Sequence, residues 1–180
     1  MASLSRCQVV GGCRMVELQI IENQEMLSRD LLRAVDLKSY AWPYPKESQI
    51  QWIQDNLRPE DMHVFLTEGG EDRAYMTLSP VTGVLNGRQT PFLGVGCVCS
   101  KEKGRGYGQM LMREVNNYLI QNTFRGMLFC RQRVVDFYRK NGWQTVPSDR
   151  IKSSVIEEGV FLMVFNCPDV DSLVYYDRSF

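Results

Sequence analysis
The stretch Lys101-Glu-Lys-Gly-Arg-Gly-Tyr-Gly-Gln109 sets three alternate glycines among three basic side chains. Gly104, Gly106 and Gly108 let a backbone turn tightly and approach a ligand with no β-carbon in the way. A glycine-rich strand, 90–99, enters the stretch and a helical pattern leaves it. The first-turn amides of that helix have no partner within it and would point at whatever the loop holds. Lys103 and Arg105 add positive charge at the same turn. Such a place suits an anion, phosphate above all, and the helix dipole contributes about 0.3–2 kcal/mol to a partly buried one. The competing reading is a glycine-rich connection that merely starts a helix. Neither common nucleotide motif fits: GxxxxGK[ST] does not occur, and the third glycine of Gly104-Arg-Gly106-Tyr-Gly108 comes one position too early for GxGxxG.

A second chemical candidate is Tyr138, within Asp136-Phe-Tyr-Arg-Lys-Asn-Gly-Trp143. A phenol can give a proton or a hydrogen bond; it can also be a core contact with its hydroxyl at the rim. Cys97, Cys99 and Cys130 read as small buried hydrophobes rather than nucleophiles, since the single histidine, His63, has no sequence tie to them. The six cysteines, at 7, 13, 97, 99, 130 and 167, contain no CxxC and no paired ligand spacing, so no metal is expected. His63 follows Pro-Glu-Asp at the head of a strand and reads as a surface or edge residue. Tyr40, Trp42, Tyr44 and Trp52 either wall an acceptor site or cap the core.

These residues need a scaffold, and the hydrophobic pattern supplies one. Val16–Ile21 reads as a strand. Met26, Leu27, Leu31, Leu32 and Val35 follow the helical period over about 25–38 and are expected to face inward. A second helix is expected over 47–57, with Pro59 stopping it. Residues 63–68 and 73–79 flank a Gly69-Gly70 turn as a hairpin, and Asn86-Gly87 marks another reversal. Helical spacing returns over 106–121 with Met110, Leu111, Val115, Tyr118 and Leu119 on one side. A strand, 126–130, and a helix capped by Gly142 follow. The stretch 148–158 reads as a mobile loop, and 160–165 as a last strand. Hairpins together with crossovers imply a three-layer α/β domain with a mixed central sheet. Residues 1–15 read as an N-terminal extension and 16–180 as one domain.

The glycine stretch and the Tyr138 segment together resemble the GCN5-related N-acetyltransferase (GNAT) superfamily, whose members carry [RQ]xxGxG after the fourth strand and an LYxxxGF-like segment in the next βα unit. Lys103-Gly-Arg-Gly106-Tyr-Gly108 fills the first pattern, with lysine where the family usually has arginine or glutamine, and Phe137-Tyr138-Arg-Lys-Asn-Gly142-Trp143 fills the second. Within the superfamily the chain is most similar to the aminoglycoside 2′-N-acetyltransferase branch, through Leu128-Phe-Cys-Arg to Tyr138, Asn-Gly-Trp (141–143) and the tail to Tyr176-Asp-Arg178. The resemblance implies a splayed sheet and direct acetyl transfer from acetyl-CoA to an amine, with no metal. It places the pyrophosphate on the loop of Lys103, Gly104, Arg105, Gly106, Tyr107, Gly108 and Gln109. Pantetheine would run along Cys97, Val98 and Cys99 like an added strand, and Tyr138 would be the acid. The base has no such match, because Gly94 stands where the 2′-type branch has a glutamate. Glu68, Glu71, Asp72, Asp177 and the carboxylate of Phe180 are the alternatives.

Composition bounds the partners. The 21 basic and 21 acidic residues of the 180-residue chain cancel, which disfavours a general nucleic-acid binder. No apolar run is long enough for a membrane-spanning helix, and the start lacks a secretory h-region, so a reducing cytoplasm is the expected location. Acidic residues gather late, at Glu157, Glu158, Asp169, Asp171 and Asp177, and would draw a cationic acceptor. A small-amine N-acetyltransferase, a protein or peptide N-acetyltransferase and a non-catalytic acyl-CoA-binding domain all fit this pattern. Related domains often form homodimers, although no residue here marks an interface.

Overall fold
The computed structural model describes residues 7–9, 15–167 and 169–180, so the expected N-terminal extension lies outside the described residues except for 7–9 and Met15. In chain order the elements are β1 (Cys7–Val9), β2 (Val16–Glu22), a 3-10 turn (Asn23–Glu25), α1 (Ser28–Ser39), α2 (Lys46–Asn56), β3 (Met62–Glu68), β4 (Glu71–Leu85) and β5 (Arg88–Ser100). They continue with α3 (Tyr107–Gln121), β6 (Gly126–Arg131), α4 (Gln132–Lys140), β7 (Gln144–Thr145), a 3-10 turn (Ser148–Arg150), β8 (Ile151–Ser153), β9 (Val160–Phe165) and β10 (Leu173–Tyr175). The sheet is mixed, with β5–β6 and β8–β10 parallel and β1–β2, β2–β3, β3–β4, β4–β10, β6–β9 and β7–β9 antiparallel. The chain divides into two compact units, one reaching to Ser79 and including Cys97–Leu111, the other made of Pro80–Gly96 and Met112–Phe180.

In the first unit β1, β2, β3 and the first half of β4 form an antiparallel run. Phe65 and Tyr75 face α1 and α2 in a cluster with Ile21, Ala34, Val35, Leu37, Ile53 and Cys99. On the opposite face Val64, Leu66, Ala74 and Met76 are also fully buried, so these strands are covered on both sides, as central strands of a layered α/β fold are. The inward stripe of α1 differs from the one expected. Leu27 and Leu32 are 55% and 52% exposed, whereas Asp30, Ala34, Val35, Leu37 and Lys38 are buried. The helix begins only at Ser28, with Asp30 accepting a hydrogen bond from the Leu27 amide. Leu31 and Val35 keep the inward face, Leu32 lies one step of about 100° beyond Leu31 and falls outside it, and Leu27 precedes the helix.

In the second unit the Asn86-Gly87 reversal forms as expected, with both residues at positive φ, 49° and 76°. Strand β6 lies between β5 and β9, and β7 pairs with the far side of β9. The stretch read as a mobile loop instead contributes a 3-10 turn and β8, which pairs in parallel with β10. Helix α4 ends in a Schellman motif: the Trp143 amide donates to the Tyr138 carbonyl, the Gly142 amide donates to the Arg139 carbonyl, and Gly142 takes φ 84°. Trp143, 2% exposed, donates from Nε1 to Asn116 Oδ1 at 3.0 Å, and Asn116 Nδ2 donates to the Asn141 carbonyl. The indole lies so close to Gly126 that an added Cβ would stand 2.5 Å from Trp143 Cη2 and 3.1 Å from Leu119 Cδ1.

His63 is fully buried, not at the surface as its sequence context suggested. Asn23 Nδ2 donates to the carbonyls of Leu57 and Arg58, which leaves Asn23 Oδ1 as an acceptor for His63 Nε2 at 3.1 Å. The imidazole therefore carries its proton on Nε2, and Nδ1 accepts from the Tyr75 hydroxyl at 2.7 Å. Burial, then the Lys38 cation, push its pKa from the ordinary 6.5 down to about 4.

Two predictions follow from this packing. Below pH 6.5 the unfolded chain binds a His63 proton that the folded chain takes up only near pH 4, so stability is complete above that window and falls as pH drops through it. About 2 kcal/mol is lost by about pH 5 from this residue alone. Urea midpoints of the wild type should therefore fall further between about pH 7 and pH 5 than those of His63→Gln; parallel declines would remove His63 as the cause. Gly126→Ala should lower stability by about 1–3 kcal/mol through overpacking against Trp143, read as a reduced urea midpoint at constant slope.

Candidate active site
The first unit builds the anion-binding turn. Gly104 and Gly106 take φ 77° and 82°, conformations that cost a β-carbon residue strain. The Met110 amide donates to the Gly106 carbonyl at 2.9 Å and opens the ladder of α3, so the amides of Tyr107, Gly108 and Gln109 precede any acceptor within the helix. Lys103 and Arg105 are exposed, and Arg105 is held by Glu102 at 3.4 Å. Beneath the turn, Arg73 reaches Glu71 at 2.8 Å, Glu102 at 3.3 Å and Glu68 at 3.8 Å. The Tyr107 hydroxyl donates to Glu68 at 2.9 Å, and the Lys101 amide donates to the Arg73 carbonyl at 2.8 Å. The buried Tyr107 ring thus anchors the loop, and what it can offer a ligand is its amide.

Cys97 has φ 52°, a left-handed conformation that interrupts the pleat of β5; holding a non-glycine residue there costs about 1–3 kcal/mol. Cys97 is half-buried and Cys99 buried, and both pack on the α1–α2 cluster. Burial raises the Cys97 thiol and pushes that of Cys99 up to about 12. Both stay protonated at neutral pH, which suits packing rather than thiolate chemistry. Beside them stands Lys38, 4% exposed, its ammonium 3.7 Å from the centre of the Trp52 ring. Tyr40, Tyr44 and Trp52 are exposed and Trp42 half-buried, so most of this aromatic cluster faces outward rather than capping the core.

The second unit holds Tyr138 on α4, 9% exposed, its ring against Phe137 and Trp143. Burial first, and the Cys130 thiol second, hold its hydroxyl well above the ordinary tyrosine range. It therefore keeps its proton and can donate it. The ladder between β5 and β6 is confined to Leu93–Gly126 and Gly94–Met127, while β6 pairs with β9 along its whole length. At Gly94, where the resemblance places a glutamate, the ring of Phe180 fills the space: an added Cβ would stand 2.6 Å from its Cε1. That ring packs on Phe129, centroids 4.9 Å apart and planes tilted by 34°.

Among the acids considered as bases, Glu68 and Glu71 serve Arg73, and Asp72 forms a two-pronged pair with Arg33 at 2.7 and 2.9 Å. Sequence reasoning missed Arg73, since nothing in its neighbours marks a long-range anchor. It also missed Lys38, although 34, 35 and 38 share one helical face and the spacing could have revealed it.

The family model of the Acetyltransferase (GNAT) domain matches residues 24–146. Among solved structures, Escherichia coli ElaA is similar with a TM-score of 0.59 and 19% identity, over 84% of this chain and 99% of that one. An acyl-CoA N-acyltransferase from Pseudomonas aeruginosa gives 0.58 and 17%, over 83% and 99%. The ribosomal-protein-S18-alanine N-acetyltransferase of Escherichia coli gives 0.54 and 16%, over 82% and 92%. A comparison with curated proteins finds no match. With two left-handed glycines opening α3, and a family match that runs from the turn before α1 to the end of β7, the chain belongs to the GNAT acetyltransferase family.

Proposed function
We propose that this acetyltransferase moves an acetyl group from acetyl-CoA directly to the primary amine of a small cationic molecule. The observation that carries the reading is the turn of the first unit, where amides of residues 105–109 and the side chains of Lys103 and Arg105 form a donor set suited to a pyrophosphate. Acyl-CoA supplies an activated thioester. Its amide-bearing arm suits the stretch of β5 at Cys97, Val98 and Cys99, beyond Leu93 and Gly94 where β5 pairs with β6. Tyr138, protonated at every physiological pH, gives its proton or a hydrogen bond to the leaving sulfur. For the acceptor, the acidic Asp149, Glu157, Glu158, Asp169, Asp171 and Asp177 outnumber Arg150, Lys152 and Arg178 over residues 141–180. That charge excess draws a cation.

Calorimetric titration of the reduced protein with acetyl-CoA should give saturable one-site binding, with no response to ATP or NAD. A well-folded protein that fails to bind acetyl-CoA would reduce the glycine turn to a structural feature and overturn the reading. Tyr138→Phe should keep acetyl-CoA affinity while lowering acceptor-dependent CoA release at least about tenfold, measured across a panel of polyamines and aminoglycosides. Equal CoA release by the two proteins would remove Tyr138 from the chemistry.

A further inference from the structure
Lys38 occupies an unusual place for a lysine. It lies on the buried face of α1 with Ala34, Val35 and Leu37, itself 4% exposed. Buried ammonium groups ordinarily sit on a carboxylate. Among the described residues no carboxylate is within ion-pair distance of Lys38, and the neighbouring acids are engaged elsewhere. Asp30 is held by Arg33 at 3.1 Å, and Asp61 accepts from the Arg58 amide at 2.9 Å.

What surrounds the amine is neutral. The Trp52 ring lies under it at 3.7 Å, the Cys97 and Cys99 thiols pack in the cluster of its helix neighbours Ala34, Val35 and Leu37, and the His63 imidazole feels its charge. The two thiols are raised and the imidazole is lowered to about 4, so all three are uncharged at neutral pH. The indole face favours the ammonium form. Burial is the larger influence and lowers the Lys38 pKa, which increases the fraction of amine with a free lone pair.

We infer that Lys38 is a self-acetylation site, an internal amine that takes the acetyl group from acetyl-CoA bound along Cys97–Cys99. The inference rests on the reading of β5 as the seat of the thioester arm. In the step, the Lys38 nitrogen forms a bond to the acetyl carbonyl carbon and the carbon–sulfur bond breaks. The proton shed by nitrogen ends on the CoA sulfur, so the products are an acetyl-lysine amide and free CoA thiol, with no further reactant. The product carries no charge, which relieves the cost of an unpaired buried cation.

The test is peptide mapping by mass spectrometry of wild-type protein incubated with acetyl-CoA, alongside the calorimetric titration. Acetylation at Lys38 is expected to saturate with acetyl-CoA, to be suppressed by free CoA, and to run at least about tenfold faster than at the exposed Lys46 and Lys140, since a step within the bound complex outpaces a bimolecular one. One-site acetyl-CoA binding with Lys38 unmodified, or labelled no faster than Lys46 and Lys140, overturns the inference and leaves the transferase reading standing. Absence of both binding and labelling overturns the two together. In Lys38→Arg, the labelling assigned to residue 38 should vanish while one-site binding of acetyl-CoA persists. Saturable, CoA-suppressed labelling that persists on another residue would also refute the assignment.

Discussion
The guanidinium of Arg73 holds together the region on which the proposed chemistry depends. Amides can bind a phosphate strongly only if they are already aimed, because ordering a glycine-rich loop during binding would consume much of the gain. Arg73 removes that freedom by reaching two glutamates of its own hairpin, Glu68 and Glu71, and a third, Glu102, within the loop itself. The Tyr107 hydroxyl completes the set through Glu68. A glutamate so close to an anion site would repel its ligand if it were unpaired. Arg73 neutralises that repulsion while leaving Lys103 and Arg105 exposed to solvent and to ligand.

The same economy of placement governs β5. Along one strand the chain needs a position without a β-carbon at Gly94, which the Phe180 ring would otherwise meet, and a left-handed residue at Cys97. The first lets the tail of the second unit lie against the strand. The second breaks the pleat in the first unit, where α1 and α2 pack from one side and supply Lys38 and Trp52. Strain at Cys97 is tolerated because the half-buried side chain packs on the same cluster as Cys99.

Tyr138 and Lys38 show how burial sets chemical roles without any change of residue type. Removal from water opposes ionisation in both. It keeps the phenol protonated, and hence a donor, while it favours the deprotonated lysine, and hence a nucleophile. His63 lies near Lys38 and follows the same rule, but both its nitrogens are spent on Tyr75 and Asn23. The one histidine of the chain is thereby committed to holding β3 against β4 and the turn before α1.

The sequence by itself determined the parts of the molecule that rest on local conformation. Alternate glycines before a helical pattern, Asn86-Gly87, and Gly142 after α4 each demand a backbone geometry that few other residues take, and each forms where it was expected. The spacing of the glycine turn and of the Phe137–Trp143 segment was likewise enough to identify the family. Only the tertiary structure decided which side chains meet. The burial of Lys38 in place of Leu27 and Leu32 depends on which face of α1 packs on the cluster of Phe65, Tyr75 and Ile53, a choice that the apolar periodicity does not mark. The burial of His63 depends on Asn23 and Tyr75, 40 and 12 residues away in the chain. Arg73 and Glu102 are separated by 29 residues, and their meeting is a property of the folded sheet, since an ion pair at that range has no signature in local composition.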